Sequence, residues 1–440
     1  MINRLKYFFK ENKALIALLV LGFLMRLIFF DTSYFFWDEA NYIMNAEFIA
    51  RGKPPFVQMD ERPPLLSLFI LPFIGSEFLM RFVMIMLNLI AIPAIYYLAL
   101  NFNKKTAIVA SALVAVFPFH IMAGRWVMTD SLSFLFITLT IAFYLAAAKR
   151  NWIKYYLIGG IFLGLSFLLK YTNLLLLPIL MALFLVFRAD YKLALCSLLV
   201  SVIVIIPYLI FNHLYFGSIL YPIIRATHVI KTGAPLPITV VFWHIIWFFG
   251  PLLLFFLLFI FCHKIKKLEF FMLCWLVLAL FYFILLSQKG IAMPESIEWE
   301  IQRFLLPALA PVVLLSSAFL SELCKGKLVL SFFIVLLLFI PSYITAYTPM
   351  ISFENGLREV SKDVALHIKD NYNNDIGIYC EENYPVIAYY SRKKTSSNIK
   401  ELENFSEVYH IRIQKSETTD RNAVYSAKKG LYAAVLTPLS

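Results

Sequence analysis

Two neighbouring carboxylates, Asp38 and Glu39, stand in the run Trp37-Asp38-Glu39-Ala40-Asn41-Tyr42, just past the end of the first long apolar stretch. A carboxylate at such a boundary is partly desolvated. That raises its affinity for a proton and suits it to general-base work where a hydroxyl and a cation are close. The same six residues also make an interfacial loop anchored by a tryptophan. About twenty residues on, Asp60-Glu61-Arg62-Pro63-Pro64-Leu65 places an acid beside a base before two prolines. The prolines predict extended backbone that holds Glu61 and Arg62 rigidly. The pair suits gripping a phosphate, or ordering a divalent metal through Glu61; a solvated Pro-rich turn is the plainer alternative.

Three further positions carry charge where apolar sequence begins or ends. Asp130, in Arg125-Trp126-Val127-Met128-Thr129-Asp130-Ser131, opens a helical run and suits capping its first turn, while Arg125 can meet an anion at that helix end. Lys170 lies in the short turn Lys170-Tyr171-Thr172 between two apolar runs. There it either snorkels to the interface or holds a phosphate. Arg303, in Gln302-Arg303-Phe304, follows Glu295, Glu298 and Glu300. A guanidinium recognises phosphate in two-pronged fashion better than an ammonium does, and an ordinary helix-end charge is the alternative. His213, His228 and His244 have no ligand spacing and read as structural. The five cysteines form no CxxC pair, so neither a disulfide framework nor a zinc ribbon is expected. Asn404-Phe405-Ser406 is a lone glycosylation sequon.

The elements that must position these residues are membrane helices. Of 440 residues, 61% are hydrophobic and 15% charged, against about 25% charged in ordinary soluble domains. That excludes a soluble enzyme, a disordered chain and a fibrous repeat. The net charge of +12 is a topology signal, not a nucleic-acid one, because residues 1–350 hold 27 Lys/Arg against 15 Asp/Glu while residues 351–440 hold 12 of each. Eleven segments are apolar enough to span: 13–30, 79–100, 106–122, 130–148, 153–169, 172–187, 193–211, 240–261, 268–287, 304–321 and 328–347. With the N-terminus inside, 16 Lys/Arg fall on cytoplasmic loops and nine on outer ones up to residue 350. The N-inside orientation is therefore expected, with the chain after 347 outside. Most of the acids then gather on the outer side. Residues 31–78 form a long first outer loop, with a helical piece at 38–50 and an interfacial stretch at 65–74. The expected organisation is a polytopic all-α domain over 1–350 and a small extracytoplasmic α/β domain over 351–440, with a helix near 354–371 and strands at 376–380, 408–413 and 431–437.

The order of these motifs in one chain resembles the GT-C-fold glycosyltransferases that use polyprenyl-phosphate sugars. The likeness is greatest to the protein O-mannosyltransferase and aminoarabinose transferase group, glycosyltransferase families 39 and 83, over about residues 1–320. Eleven spans are more like the former than the thirteen of the latter. The resemblance implies Asp38 as catalytic aspartate with Glu39 its neighbour and Asp130 as the second important acid. It implies Glu61 as organiser of the site, with or without a divalent metal, and Arg62, Lys170 and Arg303 as contacts of the donor phosphate. Gln302-Arg303-Phe304 departs from the Arg-Tyr usual there. The implied partners are a polyprenyl-phosphate-linked sugar donor, a protein, lipid or glycan acceptor, and membrane lipids, with no nucleic acid. The chemistry agrees. An inverting transfer needs one base for the acceptor hydroxyl, and a lipid phosphate leaves as an anion that cations stabilise without a general acid. A transporter or flippase would place charges at the midplane of broken helices. A lipid-diphosphate-dependent polymerase or ligase would carry Arg-rich outer loops with fewer acids.

Overall fold

The computed structural model describes residues 12–28, 30, 37–51, 62–229, 235–288, 302–325, 327, eight positions between 330 and 340, 359–372, 376–381, 384–405, 407–414, 424–429 and 432–439. In chain order the helices begin α1 (Lys13–Ile28), α2 (Trp37–Arg51), α3 (Leu65–Ile70), α4 (Glu77–Leu89), α5 (Ala91–Ala99), α6 (Lys104–Val116), α7 (Pro118–Ala123), α8 (Thr129–Arg150) and α9 (Ile153–Leu169). They continue α10 (Leu176–Phe187), α11 (Tyr191–Phe216), α12 (Tyr221–Val229), α13 (Ile238–Phe249), α14 (Pro251–Cys262), α15 (Lys267–Gln288) and α16 (Leu306–Leu323). The C-terminal segment adds α17 (359–371) and α18 (Tyr384–Ser391). By packing, the chain divides into two units: Met1–Phe30 with Phe82–Ser342, and Asp31–Arg81 with Tyr343–Ser440.

The first unit is a helical bundle. Among the described residues, five helices are long and apolar enough to cross a bilayer: Glu77–Ala99, in which α4 runs into α5, then α8, α11, α15 and Arg303–Leu323. The pair α13 and α14 makes a sixth when taken as one span, but the two helices meet at 92°. Gly250 sits between them at φ 48°, ψ −129°, a conformation L side chains rarely adopt, and Pro251 then starts α14, where a missing N–H costs nothing. The other expected spans are shorter or interrupted. α6 stops where Phe117 turns extended ahead of Pro118, and the segment 328–347 lies partly outside the described residues. The protein is thus a multi-pass membrane protein, with α13 and α14 forming a sharply bent pair among the described residues.

Two small-residue contacts fix the bundle. A Cβ added to Gly160 would lie 2.2 Å from the Ser197 carbonyl oxygen, and one on Gly164 would lie 2.8 Å from that of Ser201. Gly160-x-x-x-Gly164 on α9 thereby lets α11 approach backbone to backbone, and Tyr144 of α8 donates to Ser197 Oγ at 2.9 Å. α16 is buried along nearly its whole length; Ser316 ties it to the Leu252 carbonyl at 3.0 Å. α11 instead shows Leu199, Ile203 and Leu214 outward, as a lipid-facing helix should.

In the second unit a five-stranded sheet is built from β1 (Ile376–Tyr379), β2 (Lys394–Ser396), β3 (Glu407–Gln414), β4 (Tyr425–Lys429) and β5 (Tyr432–Leu439). Their order is β2-β1-β3-β5-β4. β1 runs parallel to both neighbours, and β5 antiparallel to β3 and β4. The same unit holds α2, buried on every residue from Asp38 to Phe48, and the short α3. Pro64 at the head of α3 is helical, φ −83°, ψ −18°, and not extended as the Pro-Pro pair predicts. A proline's fixed φ also suits a helix start, where its missing N–H has no bond to make.

Candidate active site

The sequence-selected residues fall into two clusters, one in each unit. In the second unit Asp38 and Glu39 occupy the first turn of α2, where the positive end of the helix favours acids. Adjacent helical residues point about 100° apart, and the two carboxylates accordingly take different partners. Arg62 Nη2 donates to Asp38 Oδ1 at 2.6 Å, and its guanidinium also lies over the Tyr42 ring, 5.5 Å from the centroid. Arg81 Nη2 meets Glu39 Oε2 at 3.3 Å. Burial separates the pairs. Glu39 and Arg81 are 0% and 1% exposed at the side chain, whereas Arg62 keeps 25% of its surface open. Glu39 is thus sequestered, and Asp38 faces a cation that solvent or an anion can reach.

In the first unit three separate elements bring Asp130, Lys170 and Arg303 together. α8 starts at Thr129 after an extended Met128, which puts Asp130 in the first turn and not at the capping position. Lys170 follows the end of α9 in extended backbone. Its turn is pinned by Asn173, whose amide donates to the Ser166 carbonyl at 3.0 Å and to Ser133 Oγ at 3.2 Å. Arg303 opens the 3-10 turn that leads into α16. Lys170 Nζ lies 2.5 Å from Asp130 Oδ1, and Arg303 Nη1 lies 3.9 Å from Oδ2. The Phe304 ring takes both cations, Lys170 Nζ at 4.6 Å and Arg303 Cζ at 5.3 Å from its centroid. Lys170 and Arg303 thus both lie against the buried Asp130 carboxylate, and charged donors of this kind are the ones that bind phosphate oxygens strongly.

Glu61 lies outside the described residues. Among the described residues no three His, Cys, Asp or Glu side chains gather into a metal-holding group. Asp38 and Glu39 each face an arginine, which does not fit a dication bound at those two. Arg81 is a residue the sequence motifs leave out, although a buried cation in an apolar helix signals a fixed partner. Phe304 has weight in the sequence only as a departure from a motif.

Two comparisons bear on this architecture. Residues 62–215 match the family model for dolichyl-phosphate-mannose-protein mannosyltransferase. The structure of ArnT from Cupriavidus metallidurans bound to undecaprenyl phosphate is similar at a TM-score of 0.69 and 11% identity, covering 97% of this chain and 98% of that one. The chain has the GT-C glycosyltransferase fold. The apo state of the same ArnT gives a TM-score of 0.66 at 11% identity, over 97% of this chain and 98% of that one. The Archaeoglobus fulgidus oligosaccharyltransferase, tethered to an acceptor peptide containing the NVT sequon, gives 0.58 at 14% identity over 92% of this chain and 70% of that one. No curated protein matches this GT-C chain by sequence.

Proposed function

We propose that this GT-C protein moves a sugar from a polyprenyl monophosphate to an acceptor hydroxyl with inversion, at the outer face of the cytoplasmic membrane. Asp38 accepts the hydroxyl proton as that oxygen bonds to the anomeric carbon. The carbon–oxygen bond to phosphate breaks, its electron pair stays on the phosphate, and nearby cations stabilise the charge. Lys170 and Arg303 are the phosphate contacts, with Asp130 holding both until the donor arrives. Arg62 is a further phosphate contact, and an anion that draws it from Asp38 leaves that carboxylate ready for the proton. Glu39 anchors the turn through Arg81. The sugar is a hexose or pentose such as mannose, and the acceptor a protein, lipid or glycan.

One observation carries the reading: two cations from distant parts of the sequence flank the buried Asp130 carboxylate and share one aromatic ring. The dolichyl-phosphate-mannose family model over 62–215 and the undecaprenyl phosphate of the similar ArnT structure support a polyprenyl donor. The test offers purified protein a panel of undecaprenyl- and dolichyl-phosphate sugars with candidate acceptors and follows released lipid phosphate. Release that Asp38→Asn abolishes supports the proposal. Release with lipid diphosphates alone, or transport without release, overturns it.

A further inference from the structure

The helix that carries Asp38 is gripped along its length by the C-terminal segment. At its start the Trp37 ring meets Tyr384, the first residue of α18, edge to face at 4.7 Å between centroids. Ten residues on, the Glu47 carboxylate is 2% exposed and takes Arg392 Nη1 on both oxygens, at 2.7 and 2.6 Å. Arg392 directly follows α18. At 1.5 Å per helical residue, Trp37 to Glu47 spans about 15 Å and Tyr384 to Arg392 about 12 Å. The two grips therefore fall near the two ends of α18 and well apart along α2, as for helices lying side by side.

Two features indicate that the second grip is built and not incidental. Arg392 has φ 60°, the left-handed region that non-glycine residues enter at some strain. Its guanidinium also stacks on the Tyr389 ring, 4.9 Å from the centroid. A third hold reaches the same place by another route. The Tyr390 hydroxyl donates to Glu77 Oε1 at 3.0 Å, and Lys362 Nζ of α17 lies 3.7 Å from that oxygen. Glu77 is one turn ahead of Arg81 on α4, and Arg81 holds Glu39, the neighbour of Asp38.

We propose that the C-terminal segment is a splint for the Asp38 helix, with Arg392 and Glu47 as positioning residues. This rests on the reading of Asp38 as the base. Its prediction is specific: loosening the splint slows the proton-accepting step and leaves donor affinity alone. The test uses the full-length protein and two readouts. The first is backbone hydrogen exchange over residues 37–51 without ligand; the second is turnover of whichever donor the panel identifies. Arg392→Ala and Glu47→Gln should each speed exchange in 37–51 at least tenfold while α8 and α16 stay as protected as before. Each should lower kcat about tenfold with the donor KM within twofold. Arg392→Lys, which keeps the charge, should recover most of the rate, and the double variant should be no worse than either single one. If Arg392→Ala does not fold, Glu47→Gln, a near-isosteric change, gives the same two answers. Unchanged exchange in 37–51 overturns the splint. So does faster exchange with normal kcat. An active Asp38→Asn instead sinks the base assignment, and the exchange data still decide whether the grip exists.

Discussion

The two charged clusters differ in access. Around α2 Asp38 pairs with Arg62 and Glu39 with Arg81, and the second pair is wholly buried. At the head of α8 one acid faces two cations, each keeping 15–17% of its side chain open. A wholly buried pair holds geometry; cations that keep part of their surface open can be reached by an anion. The difference supports the proposed division, with proton chemistry and positioning in the first cluster and phosphate recognition in the second.

The largest expected effect comes from Asp38→Asn. Removing a positioned general base costs on the order of 10³ in kcat, while melting temperature and donor KM should stay near wild type. A comparable loss in Glu39→Asn or Asp130→Asn with kcat alone affected would break the division of roles. Next is Glu39→Gln, expected to break the buried Glu39–Arg81 pair and to destabilise the second unit by about 3 kcal/mol, read from thermal unfolding in detergent.

A third prediction separates the units by pH. Burial pushes the Tyr389 hydroxyl up to about 12, with Glu77 and Glu47 adding to the shift and Arg392 opposing it. The unfolded chain ionises near pH 10, so the second unit should keep its full stability below that pH and lose it as pH rises from 10 towards 12. The loss is at most about 2.7 kcal/mol. Tyr389→Phe should flatten this alkaline limb, with hydrogen exchange in α8 and α16 following the same course in both proteins. The smallest effect is Lys170→Ala, which leaves Arg303 to balance Asp130. Donor KM should rise about tenfold, worth ~1.4 kcal/mol, with kcat within threefold; a fall in kcat alone would move Lys170 out of phosphate binding.

Much of this was legible in the sequence because membrane helices advertise themselves. The residues chosen for standing at helix ends, Asp130, Lys170 and Arg303, do meet in space. The helix expected at 38–50 is Trp37–Arg51, and the strands expected at 376–380, 408–413 and 431–437 are β1, β3 and β5. What was not legible has physical reasons. β2 and β4 read Lys-Thr-Ser and Tyr-Ser-Ala-Lys-Lys, too polar and short to stand out at a sheet edge. The run Tyr-Pro-Val-Ile-Ala-Tyr-Tyr-Ser of α18 is as apolar and aromatic as a strand, and only its packing makes it a helix. Breaks at Gly250 and Phe117 disappear in an average of hydropathy. The Glu47–Arg392 pair spans 345 positions, which no local pattern announces.

One feature of the bundle bears on how the chain is made. Arg26 sits near the end of α1, where a long cation would ordinarily stretch to the interface. It is instead fully buried, with Nε on Asn88 Oδ1 at 2.5 Å, Nη1 on the Gly22 carbonyl at 2.8 Å and Nη2 against His120 Nδ1 at 2.9 Å. Asn88 and His120 are 62 and 94 residues further along. On a growing chain α1 is therefore made before Asn88 and His120, and the buried contacts of its arginine are completed only once α4 and α7 have been added.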